Sequence, residues 1–160
     1  MRNLILGLDP GKSGGLAVLD LAGNIERIYG FTKGTETDLI DVLRECKDSI
    51  IKCYIEKIPA MPRSKRGVRA SKGIGQAEGL LLGVLRALEI PFERVLPMVW
   101  QRNLRCLSRG DKKFLRQVAQ DMFPDHRILI NLATADALLI AEYGRRQFNQ
   151  TKNLISKGDL

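Results

Sequence analysis

The sequence predicts an α/β fold. Its core is a mixed five-stranded sheet, made of a three-strand antiparallel meander plus two further strands, flanked by helices. Short apolar runs bounded by glycine and proline turns open the chain. Later apolar runs alternate with helix-length segments whose apolar residues recur every three or four positions. The 160 residues, 44% of them hydrophobic, suffice for one domain with one core.

Residues 3–9 (NLILGLD) read as a short buried strand that PGKSGG turns back. Residues 15–20 (GLAVLD) are the second strand, Ala22-Gly23-Asn24 the hairpin turn, and residues 25–31 (IERIYGF) the third strand. Thr35 and Asp38 have the spacing of a capping box. The helix they open runs to about Lys47, with Leu39, Val42, Leu43 and Cys46 on one face. Residues 51–56 (IKCYIE) are the fourth strand, followed over 57–72 by a loop rich in Pro, Ser, Gly and basic residues. A long apolar helix fits residues 74–89, and residues 93–96 form a short fifth strand. A short helix starts at Pro97 and carries Trp100, and residues 111–122 form a helix that Phe123-Pro124 stops. A final helix fits about residues 132–147. The domain spans residues 1–148, and the polar tail 149–160 is expected to fray.

The 26 Lys and Arg outnumber the 18 Asp and Glu, and the net charge of +8 favours an anionic partner, nucleic acid before an acidic membrane. No run approaches the ~20 apolar residues of a membrane span, and the apolar run before Asp9 is too short for a secretory signal. The cysteines Cys46, Cys53 and Cys106 form no CxxC pair. They are expected to be small core residues in a reducing compartment, not a zinc site or a disulfide framework. Gly11-Lys12-Ser13 is not a phosphate-binding P-loop: Leu6 stands where the first glycine belongs, and the turn joins two antiparallel strands instead of opening a helix.

Three acids stand out. Asp9 and Glu56 end apolar strands, and Asp136 lies in the apolar helix ATADALLIAEY. A charged carboxylate beside a core is costly unless something compensates it. A hard cation such as Mg²⁺ suits several carboxylates. Two such ions about 4 Å apart activate water and steady the leaving oxygen of a phosphodiester. Each acid also has a local explanation. Asp9-Pro10-Gly11 is a turn sequence in which Asp caps backbone N–H groups. Glu56 can pair with Lys57 or an arginine, and Asp136 can be a solvated helix residue. Spacing by itself identifies no enzyme.

The segments LILGLDPGKSGGLAVLD, YIEKIPAMP, GIGQAEGLLLGVLRALEIPFERVLPMVWQ and ADALLIAEYGRR, in that order, resemble the RuvC family of Holliday junction resolvases, and most closely its phage-type branch. The likeness runs over about residues 3–147. It implies an RNase H-like fold, a homodimer, and Mg²⁺ or Mn²⁺, two ions per active site. It implies paired nicks across a four-way DNA junction, in a bacterial or phage-infected cytoplasm. Asp9, Glu56 and Asp136 match the family's acids, and Lys112 or Lys113 matches a lysine that supports catalysis. The family carries a further acid or a histidine three to five positions before the last Asp, where this chain has Asn131, Leu132 and Ala133. Asn131 offers a carbonyl oxygen to a metal, and His126 is the other candidate ligand. That departure leaves two alternatives: a junction-binding protein with weakened cutting, or an RNase H-like nuclease acting on other branched DNA or RNA.

Basic residues cluster beside these acids. Lys57, Arg63, Lys65, Arg66, Arg69 and Lys72 follow Glu56 in a stretch without an acid. Arg102, Arg105, Arg109, Lys112, Lys113 and Arg116 form a second cluster, and Lys12 and Ser13 lie in the turn after Asp9. Lys112 and Lys113 oppose the dipole of the helix they begin, which together with that turn's N–H groups points to phosphate as their partner. Recognition is expected through shape and phosphate, not base edges. Gly75, Gly79 and Gly83 in the apolar helix would let a second subunit approach, and a two-fold dimer suits a junction of matching symmetry.

Overall fold

The opening apolar runs form the meander the sequence predicts. β1 (Leu4–Asp9), β2 (Gly15–Asp20) and β3 (Ile25–Gly30) pair antiparallel in turn. β4 (Ile50–Glu56) adds parallel to β1, and β5 (Phe92–Val95) parallel to β4. The sheet has five strands in the order β3-β2-β1-β4-β5. The computed structural model describes residues 2–11, 13–58 and 68–157, without the side chains of residues 33, 68–72, 74 and 157. Lys12, Arg63, Lys65 and Arg66 therefore lie outside the described residues.

β1 is buried at every position because helices cover both faces of the sheet. Ile5 packs with Ala17, Leu19, Tyr54 and Leu138 beneath α5 (Ala135–Lys157). Leu4, Leu6 and Leu8 pack with Leu43, Cys53, Ile55 and Leu85 beneath α1 (Glu36–Cys46) and α2 (Val68–Ala87). Side chains alternate faces along a strand. Asp9 therefore shares the face of Ile5, and Glu56 the face of Tyr54, which is the face under α5. The capping box of α1 forms as expected: Asp38 N donates to Thr35 Oγ1 at 3.3 Å, and Thr35 N donates to Asp38 Oδ2 at 2.6 Å.

Two helix boundaries differ from the sequence expectation. α2 begins at Val68, so the loop after β4 ends sooner and Arg69 and Lys72 stand on the helix. Ser71 and Gly73 read as loop punctuation, but each disfavours a helix by only about 0.5–1 kcal/mol. The tail expected to fray is helical through Lys157, exposed over residues 150–156. No Gly or Pro interrupts residues 145–157, and polarity alone is no stop signal. α3 (Pro97–Asn103) and α4 (Lys112–Met122) lie close to where periodicity places them.

Gly7 sets the height of α5 above the sheet. A Cβ built there would overlap the Ala137 carbonyl oxygen and the Ala141 backbone nitrogen, so helix backbone rests directly on strand backbone. We expect Gly7→Ala to lower the unfolding free energy by about 3 kcal/mol or more in a urea titration, since the added methyl must lift the helix. A variant as stable as the parent would show that α5 does not lie on β1.

Candidate active site

Two acids meet at one edge because their strands are parallel neighbours. Leu8 pairs with Ile55, so the next residue on each strand, Asp9 and Glu56, carries a carboxylate on the same face at the carboxyl end. Ligands of open α/β sheets bind outside that end of the strands. The first turn of α5 adds Asp136. Asp9 and Asp136 are 6% and 4% exposed, so both charges are held largely away from water.

α4 supplies the counter-charge. Lys112 Nζ donates to Asp136 Oδ2 at 2.6 Å and lies 3.6 Å from Asp9 Oδ2. α3 supplies a neutral donor: the fully buried Trp100 donates its Nε1–H to Glu56 Oε2 at 2.9 Å. Asp136 Oδ1 is buried with no hydrogen-bond partner among the described residues.

The electrostatics follow from burial. Desolvation pushes the Asp9 carboxyl up to about 6, with Lys112 opposing and Asp136 reinforcing the shift. Desolvation pushes Glu56 up to about 7; the charges of Asp9 and Asp136 add to this, while the Trp100 hydrogen bond and Lys112 work against it. Burial alone would lower the Lys112 pKa, but Asp9, Asp136 and Glu56 outweigh it and hold the ammonium above the ordinary lysine value.

The donor chemistry suits a hard divalent cation: three carboxylates, of which Asp136 acts on both Asp9 and Glu56 and has a buried oxygen that lacks a partner among the described residues. They do not form a closed cage. Among the described residues no three of His, Cys, Asp and Glu are grouped so that they could hold a metal ion as they stand. The ammonium of Lys112 instead lies between two of the acids.

Other residues predicted for the site are placed differently. Lys113 is exposed, with no described contact to the acids, so of the two candidate lysines Lys112 is the one that reaches them. The amides expected to meet phosphate at the start of α4 are occupied, because Asp111 Oδ1 accepts from Lys113 N at 2.9 Å and Phe114 N at 3.0 Å. Asn131 Oδ1 accepts from Ala133 N at 2.8 Å and Thr134 N at 3.2 Å, which makes it a cap for the turn into α5 instead of a free ligand oxygen. His126 is half-buried in a 3₁₀ turn, Pro124–Leu129, before α5. Ser13, Lys57, Arg105 and Arg109 are exposed, and Lys57 directly follows Glu56.

Trp100 is the site residue that sequence reasoning placed on a helix but gave no role. A buried tryptophan needs an acceptor for its N–H, and Trp100 follows the strand that pairs with β4, so Glu56 was within reach of that logic. A cavity of ≈ 880 Å³ lined by Tyr29, Phe31, Leu39 and Leu80 is separate from this site, against α1 and α2.

A sheet of this order with acids at the ends of its central parallel strands and on a packed helix has the RNase H-like architecture. Among solved structures the fold is similar to that of RuvC. Thermus thermophilus RuvC in complex with a Holliday junction substrate matches with a TM-score of 0.62 at 16% identity, covering 89% of this chain and 92% of that one. A second Thermus thermophilus RuvC structure matches with a TM-score of 0.58 at 18% identity, covering 88% and 92%. The yeast mitochondrial Holliday junction resolvase Ydc2 matches with a TM-score of 0.60 at 12% identity, covering 99% and 87%. No protein-family model and no curated protein matches the chain by sequence. No described helix is long and apolar enough to cross a membrane.

Stability should carry the signature of the buried acids. Between the ordinary carboxylate values of 3.8 and 4.5 and the folded values of about 6 and about 7, the folded chain holds protons that the unfolded chain has released. Stability attributable to these groups therefore falls as pH rises through that window. Glu56→Gln removes a disfavoured charge and keeps an acceptor for Trp100. In the presence of EDTA, we expect E56Q to melt above the parent at about pH 8, with the gap closing below about pH 5. Circular dichroism melts would show this; a gap independent of pH would contradict it.

Proposed function

We propose that this chain is a structure-selective endonuclease of the phage-type RuvC branch that nicks four-way DNA junctions by metal-dependent phosphodiester hydrolysis. The observation that carries the proposal is the meeting of Asp9, Glu56, Asp136 and Lys112 at one sheet edge, in a fold shared with proteins named as Holliday junction resolvases. Asp9, Glu56 and Asp136 would hold Mg²⁺ or Mn²⁺, which when bound neutralises phosphate charge and activates a water. The remaining work falls to the chain. Burial of Asp9 and Asp136 keeps bulk water from weakening the local field. The raised pKa of Lys112 keeps it an ammonium, so it acts by stabilising phosphate or leaving-group charge and not by abstracting a proton.

The DNA-binding residues proposed here are Ser13 and Lys57, which are exposed, and, from the sequence alone, Lys12, Arg63, Lys65 and Arg66. Arg69 and Lys72, which stand on α2, and the exposed Arg105, Arg109 and Lys113 complete the proposed set. The backbone at Arg105 supports it. Arg105 follows α3 with φ +58° in a Schellman turn, where its N–H donates to Arg102 O and that of Cys106 to Gln101 O. Glycine is usual at that position, because a side chain there meets the following carbonyl. Arg109 is likewise left-handed, with φ +50°. Two exposed arginines held in a disfavoured backbone conformation fit a requirement for their side chains. The outward glycines of α2 support a homodimer: a Cβ added at Gly75, Gly79 or Gly83 would meet nothing within 4 Å. The proposed location is the cytoplasm of a bacterium or a phage-infected cell.

A second reading, a junction binder with weakened cutting, is favoured by Lys112 lying between two acids and by Asn131 serving as a cap. One assay separates the readings: labelled junction, duplex, flap and RNA incubated with Mg²⁺ or Mn²⁺. We expect symmetric junction nicks, reduced more than about a hundredfold in Asp9→Asn while junction binding persists. Undiminished nicking by D9N would remove the proposed mechanism. Tight binding without nicks in the parent would establish the second reading, and easy displacement of junction by flap or RNA would point to another substrate.

Arg105→Gly should separate stability from binding. We expect it to raise the unfolding free energy by about 1 kcal/mol and to weaken junction affinity in a gel-shift titration. Unchanged affinity would exclude Arg105 from the DNA surface.

A further inference from the structure

We propose that Trp100 is a positioning residue for Glu56, and through it for the metal site; this rests on the nuclease reading above. Asp9 and Asp136 share the ammonium of Lys112, whereas among the described residues Glu56 forms no ion pair and takes its hydrogen bond from the Trp100 indole at 2.9 Å. An indole N–H donates and cannot accept, and it carries no charge. It therefore fixes one carboxylate oxygen without neutralising the group, and leaves Oε1 and the negative charge for a cation. A lysine or arginine in the same place would compete with the cation.

The donor is rigidly mounted. Glu56 pairs with Val95 in the sheet, and Lys57 N donates to Val95 O at 2.7 Å, so the start of α3 is tied to the strand position that carries the acid. Pro97 opens α3 with its φ already set, and Trp100 is fully buried. Glu56 has three flexible side-chain torsions, and this bond is what holds its carboxylate in one orientation. Partners of this kind typically change metal affinity ten- to a hundredfold when removed.

Trp100→Phe keeps the aromatic packing and deletes the N–H. Calorimetric titration with Mn²⁺ in the absence of DNA should show affinity roughly ten- to a hundredfold weaker than the parent. Glu56→Gln is the control for the site itself. If W100F binds Mn²⁺ as the parent does, the positioning role is wrong, and any loss of thermal stability then reflects packing alone. If E56Q binds Mn²⁺ as the parent does, the metal site is wrong instead. Should W100F fail to fold by circular dichroism, the parent decides, because Trp100 is the chain's one tryptophan. Its emission should shift on titration with Ca²⁺, at the midpoint calorimetry gives for Ca²⁺, and E56Q should show no shift. Emission that stays fixed while Ca²⁺ binds would overturn the proposal.

Discussion

Negative charge kept from water at the sheet edge is the constraint around which this molecule is arranged. Removing a carboxylate from water is expensive, and two or three together repel. Three separate helices answer that problem. α4 contributes the ammonium of Lys112, α3 contributes the indole of Trp100, and α5 contributes the buried Asp136. No single segment could hold these acids in place alone. The carboxyls of Asp9 and Glu56 remain perturbed even so, pushed up to about 6 and about 7. Compensation is thus partial.

Backbone contact places these groups. Strand alternation puts Asp9 and Glu56 on one face, and parallel pairing puts them side by side. Gly7, two residues before Asp9, lets the α5 backbone touch β1 close to Asp136. The acids are therefore brought together by the least variable parts of the structure: a register, a parity and a missing side chain. A likeness of fold that persists at 12–18% identity fits this account. Such features need few particular residues, and no family model or curated sequence matches the chain although the fold is shared.

The same distinction explains what the sequence made legible. Strand ends, alternation and the capping box are local, and Asp9, Glu56, Thr35 and Asp38 could be read from neighbouring residues. Lys112 and Lys113 could not be told apart, because adjacent helix positions differ by about 100° and the side that faces the acids depends on packing. Asn131 showed a carbonyl oxygen, but whether a ligand or a nearby amide takes it depends on how the turn closes. Trp100 and Glu56 are 44 residues apart, a distance that periodicity does not bridge. The early start of α2 and the long end of α5 were missed for a different reason: weak helix formers inside a continuing helix resemble loop residues.

α5 has a further electrical consequence. It is 23 residues long, and Asp136 lies in its first turn, so the positive end of the aligned peptide dipoles faces the acids. That field belongs to the main chain. Unlike the charge on Lys112, it survives every side-chain replacement that leaves the helix intact, and it eases the burial of negative charge at Asp136 itself.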